Sequence, residues 1–161
     1  MNDPAPVTPR ERIFLVVVDE SEEMRVALHY AALRAFHTGG KVALLAAIEP
    51  PGVQISKAVE ERMEEESRTE VETLIGKLTA EIQKIAGTMP VVHIREGRLR
   101  DELIALIDEE PSISILVLAT GTGQEGPGPL ITALIGRSAK LRVPITIVPG
   151  NLTNEQIAEL A

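Results

Sequence analysis

Five short runs of apolar residues recur along the chain, and longer segments of mixed polarity separate them. The runs cover residues 13–18, 41–48, 91–94, 113–119 and 145–148. They are rich in Val, Ile, Leu and Ala and show little polar alternation, which is typical of strands buried on both faces. The pattern therefore predicts five strands of a parallel sheet with helices packed on both faces.

The segments between these runs have the periodicity of amphipathic helices. The first helix is predicted to begin at Glu22, with Ser21 as its N-cap, and to end at the glycine pair 39–40. A long helix is predicted from the cap Ser56 to about Ala86, and its apolar stripe is Val59, Met63, Val71, Leu74, Leu78, Ile82 and Ile85. The remaining helices are predicted over residues 98–109, over 130–141, and after a capping box of Thr153 and Gln156.

Strands and helices alternate along the whole chain, which predicts an open α/β fold of the Rossmann-like kind. The chain has 161 residues, about the size of one ordinary domain, and it contains no internal repeat. We expect residues 11–161 to form that single domain. Residues 1–10, MNDPAPVTPR, are rich in proline and are expected to form a disordered N-terminal arm.

Composition excludes several function classes. The net charge of −8 argues against a nucleic-acid surface, because phosphate binding needs a basic stripe, and an aromatic content of 2% removes the stacking platform for single strands. The chain has no cysteine, so disulfides, thiolate catalysis and zinc sites built on Cys are excluded.

Neither a membrane span nor a metal site is expected. No apolar run reaches membrane-spanning length and the first residues lack the order of a signal peptide, so we expect a cytoplasmic protein without membrane contact. His29, His37 and His93 fall on separate predicted elements and lack the spacing of metal ligands.

Three features of the sequence follow predicted strands directly. Asp19 follows the first strand, residues 47–50 close the second, and a glycine- and proline-rich loop from Thr120 to Pro129 follows the fourth. Ligands of open parallel sheets bind beyond the carboxyl ends of the strands. Glycines at such a place let backbone N–H groups approach an anion.

The segment Gly121–Gly126 spells GxGxxG, but it does not fit a dinucleotide fingerprint. That fingerprint needs the first strand of its unit and an acid roughly 20 residues further on. Here the motif follows the fourth strand, and residues 141–146 contain no acid. A dehydrogenase is therefore rejected, and no Walker lysine is present either.

At this point the chain resembles the universal stress protein family, through IFLVVVDES, KVALLAAIEPP, VLATGTGQEGPGPL and VPITIVPG. The resemblance implies a five-stranded sheet in the order 3-2-1-4-5. It also implies ATP binding through an acid after strand one, which maps onto Asp19, and through backbone after strand two, which maps onto Ala47 and Ile48. It implies a homodimer in which the last strand, Ile145, Thr146, Ile147 and Val148, pairs antiparallel with its copy.

The glycine motif of the family, G-x2-G-x9-G-[S/T], maps onto this chain in two ways. Gly123, Gly126 and Gly136 have the right intervals, but Arg137 replaces the Ser or Thr. Counting back from Pro144 puts Ile131 at the last glycine and Thr132 at the Ser/Thr position. This second alignment is preferred because it leaves room for a full helix before the last strand.

The predicted nucleotide-binding residues are Asp19, Ala47, Ile48, Thr120, Gly121, Thr122, Gly123, Gly126, Gly128 and Thr132. The leading hypothesis is a stress-response module that binds an adenine nucleotide, most of all ATP with Mg as its counter-ion. The alternative is a dimeric interaction protein of the same fold that binds no nucleotide. An enzyme is not expected, although weak ATP hydrolysis by Asp19 with a loop threonine stays open as a third class.

Overall fold

The computed structural model describes residues 10–52, 54–136 and 140–161. The first nine residues of the predicted N-terminal arm lie outside the described residues. The strands are β1 (Ile13–Val17), β2 (Lys41–Ile48), β3 (Val91–Glu96), β4 (Ile113–Ala119) and β5 (Ile145–Val148). The helices are α1 (Glu23–Thr38), α2 (Lys57–Ala86), α3 (Leu99–Glu109), α4 (Pro129–Ile135) and α5 (Asn154–Leu160).

The five strands form one parallel sheet in the order β3-β2-β1-β4-β5, which confirms the predicted fold class and strand order. Side chains of β1 alternate between two separate cores. Phe14 and Val16 pack with α1 and α2 on one face, and Leu15 and Val17 pack with α3 and α4 on the other. The continuous apolar run of the first strand is thus explained by burial on both sides.

Local signals place most helix ends where the sequence predicts them. Gly39 ends α1 in the left-handed conformation, with a φ of 69°. The Ser56 hydroxyl caps α2 by accepting from the Val59 N–H at 3.4 Å. Thr153 and Gln156 form the reciprocal capping box that begins α5.

Two predictions about helix ends are wrong. Ser21 does not cap α1, which begins at Glu23, because the Ser21 N–H and hydroxyl both donate to the carboxylate of Asp19. Helix α4 ends at Ile135 instead of reaching Leu141. Gly136 follows it directly, and glycine weakens a helix because it loses more backbone entropy on folding than other residues. Residues 137–139 of the predicted helix lie outside the described residues.

The apolar stripe of α2 is only partly a core face. Leu78 and Ile82 are fully buried, whereas Val59 is 47% exposed and Met63 is 41% exposed. Helix α2 has 30 residues and spans about 45 Å, whereas the eight residues of β2 span about 26 Å. The first turns of α2 therefore extend past the carboxyl end of the strand on which its later turns pack.

Among the described residues, no helix combines the length and the apolar character that crossing a lipid bilayer requires.

Glycine is needed at two places where backbone segments meet. The Lys41 N–H donates to the Arg12 carbonyl at 2.9 Å, and a Cβ on Gly40 would collide with that carbonyl oxygen. A Cβ on Gly150 would likewise collide with the carbonyl oxygen of Thr120. The second contact holds the end of β5 against the loop that follows β4.

Substitutions at two glycines should have opposite effects on stability. Gly76 lies exposed in the middle of α2 with open space around its missing Cβ, so Gly76→Ala should raise the free energy of unfolding by about 0.5–1 kcal/mol. Gly40→Ala should lower it by about 1–3 kcal/mol, because the added methyl overpacks a backbone contact. Urea unfolding of the three proteins measures both effects. A Gly40→Ala variant as stable as the wild type would show that the Arg12 segment moves aside without cost.

The half-buried His93 in β3 should make stability depend on pH. Burial lowers the pKa of His93 below its ordinary value of 6.5, an effect that Glu110 opposes and Arg95 reinforces. The unfolded chain then binds this proton more readily, so stability is lost as the pH falls from about 6.5 toward the lower pKa of the folded state. His93→Gln removes this contribution. Thermal unfolding from pH 7.5 to 5 should show a smaller loss in the variant than in the wild type, and equal losses would contradict the assignment.

Candidate functional site

The chain leaves the neighbouring strands β1 and β4 toward opposite faces of the sheet. Helix α1 follows β1 onto one face, and α4 follows β4 onto the other. This divergence opens a crevice at the carboxyl edge, the position where open α/β sheets bind their ligands.

A cavity of about 400 Å³, the central cavity, occupies this crevice. Its walls are mainly apolar and come from the ends of β1 and β4, the first turns of α1 and α4, and Leu99 at the start of α3. The carboxylates of Asp19 and Glu23 also line it. An apolar cavity with a few converging polar groups is the usual form of a small-molecule site.

A second cavity of about 350 Å³, the side cavity, lies between the ends of β1 and β2 and the middle of α2. Ala47, Val71 and Leu74 contribute aliphatic surface to it. Asp19 and Leu99 line both cavities, so they mark the boundary between the two.

Asp19 is exposed, and the turn into α1 fixes its orientation. Its Oδ1 accepts hydrogen bonds from the N–H of Ser21, at 2.9 Å, and from the Ser21 hydroxyl. Its Oδ2 has no hydrogen-bond partner in the described part of the chain. One carboxylate oxygen is therefore held by the protein, while the other is available to a ligand.

The two residues predicted after strand two differ in their placement. Ala47 lies in the wall of the side cavity. Ile48 is buried, and its carbonyl accepts the N–H of Gly97 at 3.0 Å. The structure thus brings Ala47 to the cavity, whereas the Ile48 carbonyl already takes part in the pairing of β2 with the end of β3.

The first two residues of the glycine-rich loop form hydrogen bonds within the protein. The Thr120 N–H donates to the Val148 carbonyl at 2.9 Å, and its hydroxyl accepts from the Gly150 N–H at 3.2 Å. The Gly121 N–H donates to the carbonyl of Pro127 at 3.0 Å, which closes the loop on itself. These two amides are therefore occupied within the protein.

The rest of the loop surrounds a wide, open depression of about 980 Å³, the loop basin. Thr122, Gly123, Gly126 and Gly128 line it, and the last two glycines have φ values of 91° and 115°. The amides of residues 122–126 donate no hydrogen bond to any other described residue. These amides are the loop donors that a ligand could use.

Helix α4 favours the second alignment of the glycine motif, and it is shorter than that alignment predicts. Gly136 follows the helix, so the first alignment would leave no α-helix in the described residues between that glycine and β5. Thr132 lies in the first turn of α4, in the wall of the loop basin, and its hydroxyl donates to the Gly128 carbonyl at 2.9 Å. The helix therefore lies where the second alignment needs it.

The walls of the three cavities are acidic. Among their described residues none is Lys or Arg, and the acids are Asp19, Glu20, Glu23, Glu49, Glu70 and Glu125. These acids are spread over the crevice, and the described ranges contain no group of three or more His, Asp or Glu placed to hold a metal ion.

Sequence reasoning missed several residues of the cavity walls, and Glu23 and Leu99 are two that each line two cavities. Leu99 comes to the carboxyl edge because α3 begins there, and its N–H donates to the Glu49 carboxylate at 3.2 Å. The rule that every helix of a parallel sheet begins at this edge could have identified it. The local sequence pattern marks Glu23 only as a favourable acid in the first turn of α1.

The comparisons with known proteins agree with this architecture. The sequence model of the Universal stress protein family matches residues 11–140. No curated protein sequence matches the chain.

Solved universal stress proteins have the same fold at low sequence identity. The universal stress protein UspA from Lactobacillus plantarum superposes with a TM-score of 0.72 at 14% identity, over 88% of this chain and 99% of that one. The protein from Archaeoglobus fulgidus, solved in complex with dAMP, gives 0.58 at 17% identity, over 87% and 98%. A family protein from Arabidopsis thaliana with AMP bound gives 0.59 at 15% identity, over 88% and 92%. With the family model matching most of its length, this chain belongs to the universal stress protein family.

Proposed function

We propose that this protein is a binding module for an adenine nucleotide, which it holds at the carboxyl edge of the sheet and uses in a cytoplasmic stress response. The observation that carries the proposal is the crevice between β1 and β4, where Asp19 offers an oriented carboxylate oxygen between two cavities. Family membership supports it, as do the AMP and dAMP bound in the proteins from Arabidopsis thaliana and Archaeoglobus fulgidus.

Each part of the nucleotide has a proposed place. The Asp19 Oδ2 accepts hydrogen bonds from the ribose hydroxyls, because a carboxylate is an acceptor and hydroxyls are donors. The adenine ring packs in the side cavity against Ala47, Val71 and Leu74. Phosphate meets the amides of the loop from Thr122 to Gly126, and Mg, if it is present, arrives with the nucleotide as its counter-ion.

The proposal is binding without catalysis. Hydrolysis by Asp19 would require its Oδ2 to be aimed at a water molecule and a second acid or base beside it, and Asp19 is hydrogen-bonded among the described residues to Ser21 alone. The Thr132 hydroxyl donates to the Gly128 carbonyl. The described groups of the crevice therefore support the holding of a ligand.

Removal of the Asp19 carboxylate tests the proposed site. Asp19→Ala should weaken the binding of AMP or ATP by about 1–3 kcal/mol, the usual cost of losing a hydrogen bond to a charged group. Isothermal titration calorimetry measures the affinity. Asp108→Ala is the matched control, because it removes an exposed acid from the far end of α3 and should leave the affinity unchanged.

Two results would count against the proposal. Equal affinities of the wild type and Asp19→Ala would remove this carboxylate from the site. Absence of binding of both nucleotides at millimolar concentration would favour the alternative, a dimeric interaction protein that binds no nucleotide.

The edge position of β5 supports a proposed homodimer, which is compatible with either function. Among the described strands β5 pairs with β4 alone, and Ile147 is 39% exposed on this edge. An apolar edge invites pairing with another chain, and a two-fold contact uses the same patch twice. We therefore propose that residues Ile145 to Val148 pair antiparallel with their copy, between the flanking Pro144 and Pro149.

A charge at this edge should dissociate the dimer. Ile147→Lys places two like charges at the shared strand, so the variant should be a monomer in multi-angle light scattering at micromolar concentration, where the wild type is a dimer. Met89→Lys adds the same charge at an exposed apolar residue away from β5 and should stay dimeric. A monomeric wild type, or a folded and dimeric Ile147→Lys, would contradict the proposed interface.

A further inference from the structure

Glu23 lies at the junction of the central cavity and the loop basin. It is half-buried in the first turn of α1 and lines both cavities. A Cβ placed on Gly121 would be 3.6 Å from the Glu23 Oε1, so the carboxylate lies directly against the glycine-rich loop. A Cβ placed on Gly150 would be 3.0 Å from the Glu23 Cβ, which shows how closely the loop after β5 confines this side chain.

Nothing in the described part of the chain neutralises this carboxylate. The Glu23 side chain forms neither a hydrogen bond nor an ion pair with any residue of the ranges 10–52, 54–136 and 140–161. Among these described residues, the other charged side chains that line the central cavity and the loop basin are Asp19 and Glu125, which are also acidic. The loop offers neutral amides, and a neutral dipole offsets a full like charge only in part.

A bound triphosphate would have to pass this carboxylate. A nucleotide with its ribose at Asp19 reaches the loop across the place where Glu23 lies, and each further phosphate adds negative charge near it. Repulsion between like charges in a partly enclosed crevice is stronger than in open water. The cost is small for a ligand with one phosphate and large for a ligand with three.

We propose that Glu23 determines the specificity of this site by excluding polyphosphate, so that the protein binds AMP in preference to ATP. This inference rests on the proposed function, since it concerns the same crevice. It narrows the ligand from the ATP expected from the sequence to an adenine nucleotide with a single phosphate.

A divalent cation between Glu23 and the phosphates would give the opposite preference. Mg²⁺ is usually held by one or two carboxylates together with the phosphates of the ligand, so this arrangement needs no larger group of protein ligands and has to be separated from direct repulsion by experiment. The two arrangements predict opposite effects of one substitution on the affinity for ATP. Glu23→Gln should strengthen ATP binding under direct repulsion and weaken it under bridging by the cation.

The experiment compares AMP and ATP in three proteins by calorimetry, at low ionic strength, with EDTA and separately with Mg²⁺. The wild type should bind AMP about tenfold more tightly than ATP, and Glu23→Gln should tighten ATP about tenfold while changing AMP less than about threefold. Glu22→Gln is the control, because it removes the same charge from the adjacent exposed residue, which lines neither cavity. It should leave the ratio of the two affinities unchanged. Because salt screens charges, the difference between AMP and ATP should shrink as ionic strength rises.

The possible failures can be told apart. Three results would each overturn the inference and leave the proposed function standing. They are tighter binding of ATP than of AMP by the wild type, an unchanged ratio of the AMP and ATP affinities in Glu23→Gln, and weaker ATP binding by Glu23→Gln in Mg²⁺. Absence of binding of both nucleotides by the wild type and by Glu23→Gln would overturn the proposed function, and the inference with it. Thermal unfolding verifies that both Gln variants are folded, and each loses one acid near the start of α1.

Discussion

Burial of β1 on both of its faces is the constraint on which the rest of the molecule depends. Its four buried residues alternate between the two cores, so the strand contributes to each layer of helices. It also pairs with β2 on one side and with β4 on the other. Because the connections from β1 and β4 turn to opposite faces, the crevice that holds the candidate site is a direct consequence of the topology.

The loop after β4 shows how the scaffold limits what the site can do. Its first two amides hold the end of β5 and close the loop on itself, and Gly150 is needed because the carbonyl of Thr120 lies against it. The middle of the loop, from Thr122 to Gly126, keeps amides that donate to no other described residue. One part of this glycine-rich loop therefore stabilises the fold, and another part offers amides for binding.

The shape of the crevice and its acidic charge act on different parts of a ligand. In the proposed complex the aliphatic walls receive the flat base, Asp19 accepts hydrogen bonds from the sugar, and Glu23 opposes a chain of phosphates. Shape and charge are set by different residues, so one substitution can change the preferred ligand without altering the fold.

The sequence by itself determined the elements and the order of the sheet, because these follow from local signals and from the family resemblance. Continuous apolar runs marked the strands, and Gly39, Ser56 and Thr153 marked helix ends with the geometry that the structure shows. It also determined that Asp19 and the loop lie at the carboxyl edge, since every strand of a parallel sheet ends there.

Tertiary structure alone decided which of these groups face a cavity. The Ile48 carbonyl, for example, accepts the N–H of Gly97 after β3. The first turns of α2 passed beyond the sheet, which left Val59 and Met63 exposed. Glu23 became part of the crevice because residues distant in sequence, Gly121 and Gly150, pack against it, and no local pattern reports contacts of that kind.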